Sequence, residues 1–305
     1  MSYRILTVAN NKGGVGKTLI SKSIMEYAGM RAGLSVLGID LDPQCNLSRR
    51  FLDMRILGGD ESPDDQDFAP PVHPEYPDPE EPDWDGYSDA ADIWLEGGAA
   101  PYPADLKEPG YENIEIIPGH ATKLQRLEQV HEEEIYTGVV QWLRKFLYTD
   151  SIRDLYDLVI IDTRPSKGPL VRAAMHAATH LLVPSEMEAP SVEGLHGMLH
   201  VRRQANTQRA ADDPLRLVGI LPNKVQKRFS LHEAYEEELR EDEHTGPVML
   251  PVRLNHWGAY KESMRFRAPS LLLDEGRRRK TKEREQLEQV CQTVLDRMEG
   301  EEAHE

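Results

Sequence analysis

The sequence predicts an α/β fold, a doubly wound, mainly parallel sheet flanked by helices. Three observations carry that prediction. A β-branched run, Ile5-Leu6-Thr7-Val8-Ala9, leads directly into the glycine-rich stretch Asn10-Asn11-Lys12-Gly13-Gly14-Val15-Gly16-Lys17-Thr18, and a helical pattern follows. A near-continuous apolar run over residues 156–161 ends in the carboxylate Asp162. Elsewhere short apolar runs alternate with helix-length periodic segments, which is the order of repeated βαβ units.

Taken along the chain, the first strand covers about residues 3–9. The stretch from Asn10 to Thr18 has the layout of a phosphate-binding P-loop: strand, glycine-rich turn, Gly-Lys-Thr, helix. Gly13, Gly14 and Gly16, with Val15 among them, let the backbone curl and aim several N–H groups at one anion. Lys17 supplies a point charge for the β- and γ-phosphates, and the Thr18 hydroxyl can ligate Mg²⁺. The helix from Lys17 to about Arg31 points its positive end at the same place and stops near Gly33. Residues 35–40 form a second buried strand, and Asp40-Leu41-Asp42-Pro43-Gln44 follows at the edge where such sheets bind ligands. Residues 88–95 read as a short capped helix and residues 114–117 as a strand. Residues 122–148 read as one helix with Leu124, Leu127, Val130, Ile135, Val139, Trp142, Leu143 and Phe146 mostly on one apolar stripe. The strand ending in Asp162 supplies the second half of a P-loop site, an acidic residue that binds Mg²⁺, usually through water.

Strands are expected at residues 180–184, 215–222 and 248–252, and helices at 191–209, 231–242 and 281–298. Asn223-Lys224-Val225-Gln226 ends the strand at 215–222. A guanine site needs a carboxylate where Gln226 stands, so adenine is the expected base.

The formal net charge of −17 argues against a general affinity for polyanions, though not against a local basic patch. Residues 53–92 hold 14 Asp or Glu against a single Arg55, and seven prolines fall between Pro63 and Pro82. Residues 58–86 are therefore read as an acidic, Pro-rich insertion, extended or disordered, within a single domain spanning 1–305. The segment 276–305 is basic, then acidic: Arg277, Arg278, Arg279, Lys280, Lys282 and Arg284 cluster at the start of the last helix, and the chain ends Glu299-Gly300-Glu301-Glu302-Ala303-His304-Glu305. The basic run is the candidate for salt-sensitive, sequence-independent contact with a DNA backbone. The acidic end opposes anionic lipid, so no membrane partner is expected. Two cysteines, Cys45 and Cys291, and no apolar run near the roughly 20 residues of a membrane span point to the cytoplasm.

Two departures from the general P-loop pattern are informative. Asn11 replaces the first glycine, and a second lysine, Lys12, precedes the glycines. The form Lys-Gly-Gly-Val-Gly-Lys-Thr resembles the deviant P-loop of the ParA/MinD family of dimerising ATPases. Asp40-Leu41-Asp42-Pro43-Gln44 and Asp162-Thr163-Arg164-Pro165-Ser166 resemble its other motifs. Arg164 stands where the family pattern has a proline, in the segment expected to sense the γ-phosphate; from there it could reach phosphate, reach a partner subunit, or simply be solvated.

The resemblance implies ATP and Mg²⁺ as cofactors and slow, partner-stimulated hydrolysis. It implies an ATP-induced homodimer that binds non-specific DNA and is therefore nucleoid-associated. A centromere-binding adaptor protein completes the expected partners, and the work is plasmid or chromosome partition. Lys12 is then the residue that crosses the dimer interface, so Lys12, Lys17 and Asp42 form the catalytic set. Asp42 is the candidate for positioning water, with Asp40 supporting metal or nucleotide alongside Thr18 and Asp162. Sequence alone does not separate the two aspartates. Asn223, with backbone near residues 251–253, is the adenine-side candidate. The same switch could instead position a protein assembly or serve a conjugation or secretion system. A nitrogenase-reductase-like electron carrier shares the loop but needs cluster-binding cysteines, and Cys45 and Cys291 lack that spacing.

Overall fold

The computed structural model describes residues 3–58, 67–106, 110–130, 133–226, 230–256 and 281–300, together with Tyr260 and Met264. The chain runs β1 (Arg4–Val8), α1 (Lys17–Met30), β2 (Val36–Asp40), α2 (Ser48–Phe51), β3 (Arg55–Leu57), β4 (Asp67–Ala69), α3 (Asp92–Leu95), β5 (Tyr102–Pro103) and β6 (Ile114–Ile117). It continues with α4 (Ala121–Glu128), α5 (Glu133–Leu147), α6 (Asp150–Arg153), β7 (Leu158–Asp162), α7 (Pro169–Ala177) and β8 (His180–Glu186). Then come α8 (Ala189–Thr207), β9 (Arg216–Asn223), α9 (Ser230–Glu241) and α10 (Thr281–Glu299).

Seven strands form one sheet in the order β5-β6-β2-β7-β1-β8-β9, parallel except for the short edge strand β5. The central strands are apolar on both faces because both are covered. Ile5, Leu37, Ile39, Val159, Ile161, Leu181 and Val183 join the cluster beneath α4, α5, α7 and α8. Their neighbours Leu6, Val8, Val36, Leu158, Ile160 and Leu182 join the opposite cluster with α1 and α10. Each strand thus feeds two cores by simple alternation.

Three expectations are corrected. The helix expected over 122–148 is two, α4 and α5; both bury the same stripe in one cluster, so the periodicity concealed the break. The strand expected at 248–252 is a single turn of 3₁₀ helix (Gly246–Val248) followed by an isolated bridge from Ile220 to Met249. Pro247 and Pro251 lack the N–H donors a ladder needs.

The third correction concerns the acidic insertion. Its residues 59–66 lie outside the described residues, but residues 68–70, 73 and 86 are buried against the domain, while most of 74–85 stays exposed. β4 pairs antiparallel with β3, and Phe68 and His73 are buried. The His73 ring lies 4.4 Å from Tyr102 and 5.1 Å from Trp84, and its Nε2 is 2.9 Å from the Pro101 carbonyl. Aromatic anchors thus supply the burial that the acidic composition concealed.

Candidate functional site

The register places the acidic strand ends side by side: Asp40 of β2 pairs with Asp162 of β7, and Asp162 pairs with Val8 of β1. The glycine-rich loop leaves β1 at this edge. Asn10 shapes its start, donating from Nδ2 to the Pro184 carbonyl (2.7 Å) and accepting the Lys12 N–H at Oδ1 (2.9 Å). Gly14 and Gly16 take left-handed φ values of +77° and +90°. A Cβ at Gly16 would stand 2.3 Å from Asn223 Nδ2, so this position is closed to any side chain.

A cavity of about 670 Å³ opens over this loop, lined among others by Gly14, Gly16, Lys17, Thr18, Asp42, Arg164, Asn223, Asn255, His256 and Tyr260. At its floor the Thr18 hydroxyl donates to Asp162 Oδ2 at 2.7 Å, and Ser21 donates to Oδ1 at 2.8 Å. Burial, with Asp42 nearby, pushes the Asp162 carboxyl up to about 6 despite those two hydroxyl donors. Lys17 is 6% exposed and donates to the carbonyls of Asn10 and Lys12, both at 3.2 Å. Burial lowers its ammonium below the usual lysine value, partly opposed by Asp162 and Asp42.

The two aspartates of the second motif separate cleanly. Asp42 faces the cavity, and burial raises its carboxyl against the pull of the Gln44 N–H, Lys17 and Arg164. Asp40 is fully buried. Its Oδ2 accepts the Ser48 N–H (2.8 Å) and hydroxyl (2.7 Å), while Oδ1 accepts the Asp42 N–H (3.1 Å). Burial and the neighbouring Asp162 and Asp42 push Asp40 up to about 7. Its lone pairs hold the loop that presents Asp42, and it does not line the cavity.

Lys12 points elsewhere. Its ammonium pairs with Glu186 Oε2 (3.0 Å) and Glu188 Oε2 (3.2 Å), at the end of β8 and just beyond it. The second oxygen of Glu186 takes Lys224 (2.8 Å), whose ammonium also donates to the Gly14 carbonyl. Burial would raise Glu186, but Lys224 and Lys12 outweigh it and hold the carboxyl below its usual value. Neither glutamate was apparent as a site residue from the sequence, because a strand-end glutamate carries no spacing signal. Asn223 donates from Nδ2 to the Val15 carbonyl at 2.7 Å, bracing the loop from β9.

Of the basic cluster, Arg277, Arg278, Arg279 and Lys280 lie outside the described residues. Lys282 is exposed on α10, and Arg284 is half-buried beside Glu288 at 3.9 Å. Cys45 and Cys291 are both buried, in separate clusters. No helix among the described residues is long and apolar enough to cross a membrane.

These residues fit a magnesium nucleotide. The glycine cradle leaves room that a Cβ would fill, Lys17 stands at its wall, and the Thr18 hydroxyl and Asp162 carboxylate form a hard oxygen donor pair of the kind Mg²⁺ prefers. The fold and this edge together define a P-loop nucleotide-binding protein. Residues 6–263 match the family described as the CobQ/CobB/MinD/ParA nucleotide binding domain, and the chain belongs to it.

Among its relatives, Protein IncC of Escherichia coli is 30% identical over 238 residues, 78% of this chain and 55% of IncC. The chain therefore spans about half of IncC's length. The chromosome-partitioning ATPase Soj of Thermus thermophilus is also 30% identical over 238 residues, 78% of this chain and 76% of Soj. Similar solved structures include Cyanothece McdA in complex with ATP (TM-score 0.69, 19% identity, 97% of this chain and 98% of McdA). They also include cobyrinic acid a,c-diamide synthase of Mycobacterium smegmatis with ADP and magnesium (TM-score 0.65, 22% identity, 99% of this chain and 97% of that one). At these identities the solved structures speak to the fold, and the likeness to partition ATPases comes from the sequence relatives.

Proposed function

We propose that the chain is an ATP-driven partition ATPase, active as a nucleotide-induced homodimer on non-specific DNA. The observation that carries this reading is the division of labour between the loop's two lysines. Lys17 serves the cavity of its own subunit, whereas Lys12 is held outside it by Glu186 and Glu188, and would reach a facing subunit by exchanging those carboxylates for that subunit's phosphates. Thr18 and Asp162 would hold Mg²⁺, which would supply charge neutralisation for the nucleotide's phosphates. Gly14 and Gly16 shape the loop around the phosphates, with Lys17 adding charge. Asp42, facing the cavity on a loop fixed by Asp40 and Ser48, orients the attacking water and takes its proton. Asn223 braces the loop on the adenine side. Arg277, Arg278, Arg279, Lys280, Lys282 and Arg284 contact phosphate backbone in the dimer, and a centromere-binding adaptor stimulates hydrolysis and release.

The test is binding to a random-sequence DNA duplex followed by fluorescence anisotropy. Affinity should need ATP with Mg²⁺ and fall steeply as salt rises. Binding indifferent to nucleotide overturns the reading.

A further inference from the structure

Arg164 is the residue in the cavity wall that departs from the family pattern, and its surroundings give it a role. It follows β7 by two positions and shares the wall with Asp42, Lys17 and Thr18. Its one ion pair among the described residues is loose: Nη1 stands 3.9 Å from Glu128 Oε2, beyond hydrogen-bond length. Its Nε is buried without a hydrogen-bond partner among the described residues, and so is Glu128 Oε1. A guanidinium present only to neutralise a buried glutamate would close to a forked pair near 2.8 Å. This one does not, and its donors are uncommitted.

Glu128, by contrast, is fixed. It ends α4 with its side chain 9% exposed, near enough to the Ser166 hydroxyl and the Leu170 N–H for both to favour its ionised form. A Cβ at Gly168 would lie 2.2 Å from Glu128 Oε2, so the carboxylate enters only because that residue is glycine. Between them, Pro165 Cγ lies 3.7 Å from where a Gly13 Cβ would stand, so the segment rests directly on the phosphate loop. Arg164 thus stands beside a buried carboxylate on one side and faces the phosphate cradle on the other.

We infer that Arg164 is a catalytic arginine supplied in cis, contacting the γ-phosphoryl oxygens during hydrolysis, and that Glu128 is its positioning residue. The inference rests on the ATPase reading above. In the reaction, water's oxygen bonds to the γ-phosphorus as the bond to the β–γ bridging oxygen breaks, and that oxygen leaves on ADP with the electron pair. The hydroxyl stays on inorganic phosphate, and the remaining proton passes to Asp42 and then to solvent. Charge spreads over the γ-oxygens and the bridging oxygen in the transition state, where a pre-placed guanidinium is most effective.

The experiment compares wild type with Arg164→Ala, Arg164→Lys and Glu128→Gln, titrating each with ADP–Mg²⁺ alone and with aluminium fluoride, alongside steady-state ATP hydrolysis. Arg164→Ala should bind ADP within about 3-fold of wild type yet lose the extra affinity conferred by aluminium fluoride. Its kcat should fall about 100-fold with KM little changed. Lysine should recover less than a tenth of that loss, because it lacks the planar fork. Glu128→Gln should lower kcat about tenfold and add nothing when combined with Arg164→Ala. Equal aluminium fluoride enhancement in wild type and Arg164→Ala overturns the inference. A wild type that binds no ADP overturns the ATPase reading itself and is distinguished by the first titration.

Discussion

Asp162→Asn separates what the site needs for folding from what it needs for ligand. In the ligand-free protein the carboxyl is fully buried and pushed up from 3.8 to about 6, so near neutral pH it is ionised against the preference of its surroundings. One pK unit corresponds to about 1.4 kcal/mol, and sharing of the shift with Asp42 and Asp40 trims the sum to about 2 kcal/mol. The sign follows from proton uptake. Between about pH 4 and 6 the folded state binds more protons than the unfolded chain, so this group's contribution falls as pH rises and is flat above about 6. The asparagine has no such loss. Asp162→Asn should therefore match the wild-type Tm at pH 4 and exceed it by about 3 °C at pH 8, measured without nucleotide or magnesium. The same variant should lose at least tenfold of the ADP affinity that magnesium confers. In wild type that magnesium-dependent increment should shrink about tenfold per unit below pH 6, as a proton competes for the carboxylate. A variant less stable than wild type at pH 8, or one that keeps its magnesium dependence, would refute the assignment.

Other outcomes follow from the same geometry. Gly16→Ala forces a Cβ to 2.3 Å from Asn223 Nδ2 at a left-handed φ of +90°, and about 2 kcal/mol of strain should weaken ADP binding roughly 30-fold in a calorimetric titration. Ser48→Ala removes the hydroxyl that donates to Asp40 (2.7 Å) and accepts the Gly119 N–H (2.9 Å). It should lower Tm by about 3 °C, for a loss of about 2 kcal/mol. Magnesium-dependent ADP affinity should stay within about 3-fold; a larger change would give Asp40 a direct part in metal binding.

Much of the sheet was legible because buried parallel strands announce themselves as unbroken apolar runs, and β1, β2, β7, β8 and β9 all do. The phosphate loop was legible because its spacing is fixed by backbone geometry, and Thr18 and Asp162 do meet at 2.7 Å. What sequence could not resolve is whatever depends on long-range contact. Asp40 and Asp42 look interchangeable as text, and only Ser48, folded back over β2, distinguishes them. Glu128 and Arg164 lie 36 positions apart, and no local pattern links them. Glu186 and Glu188 are strand-end carboxylates until Lys12 reaches them. The acidic insertion misled through its average composition: a few well-placed rings, Phe68, His73 and Trp84, outweigh a dense run of carboxylates.

The most direct test of a nucleotide-built dimer is the mass of the protein in solution with ATP and Mg²⁺, in an Asp42→Asn background that holds the ATP state, with and without Lys12→Ala. The lysine-intact protein should double from 34.6 kDa when ATP is added and remain single with ADP. Lys12→Ala should stay single with either nucleotide while binding ADP within about 3-fold of the intact protein. A Lys12→Ala protein that doubles with ATP as readily as the intact one would contradict the role given to that lysine, and with it the central claim.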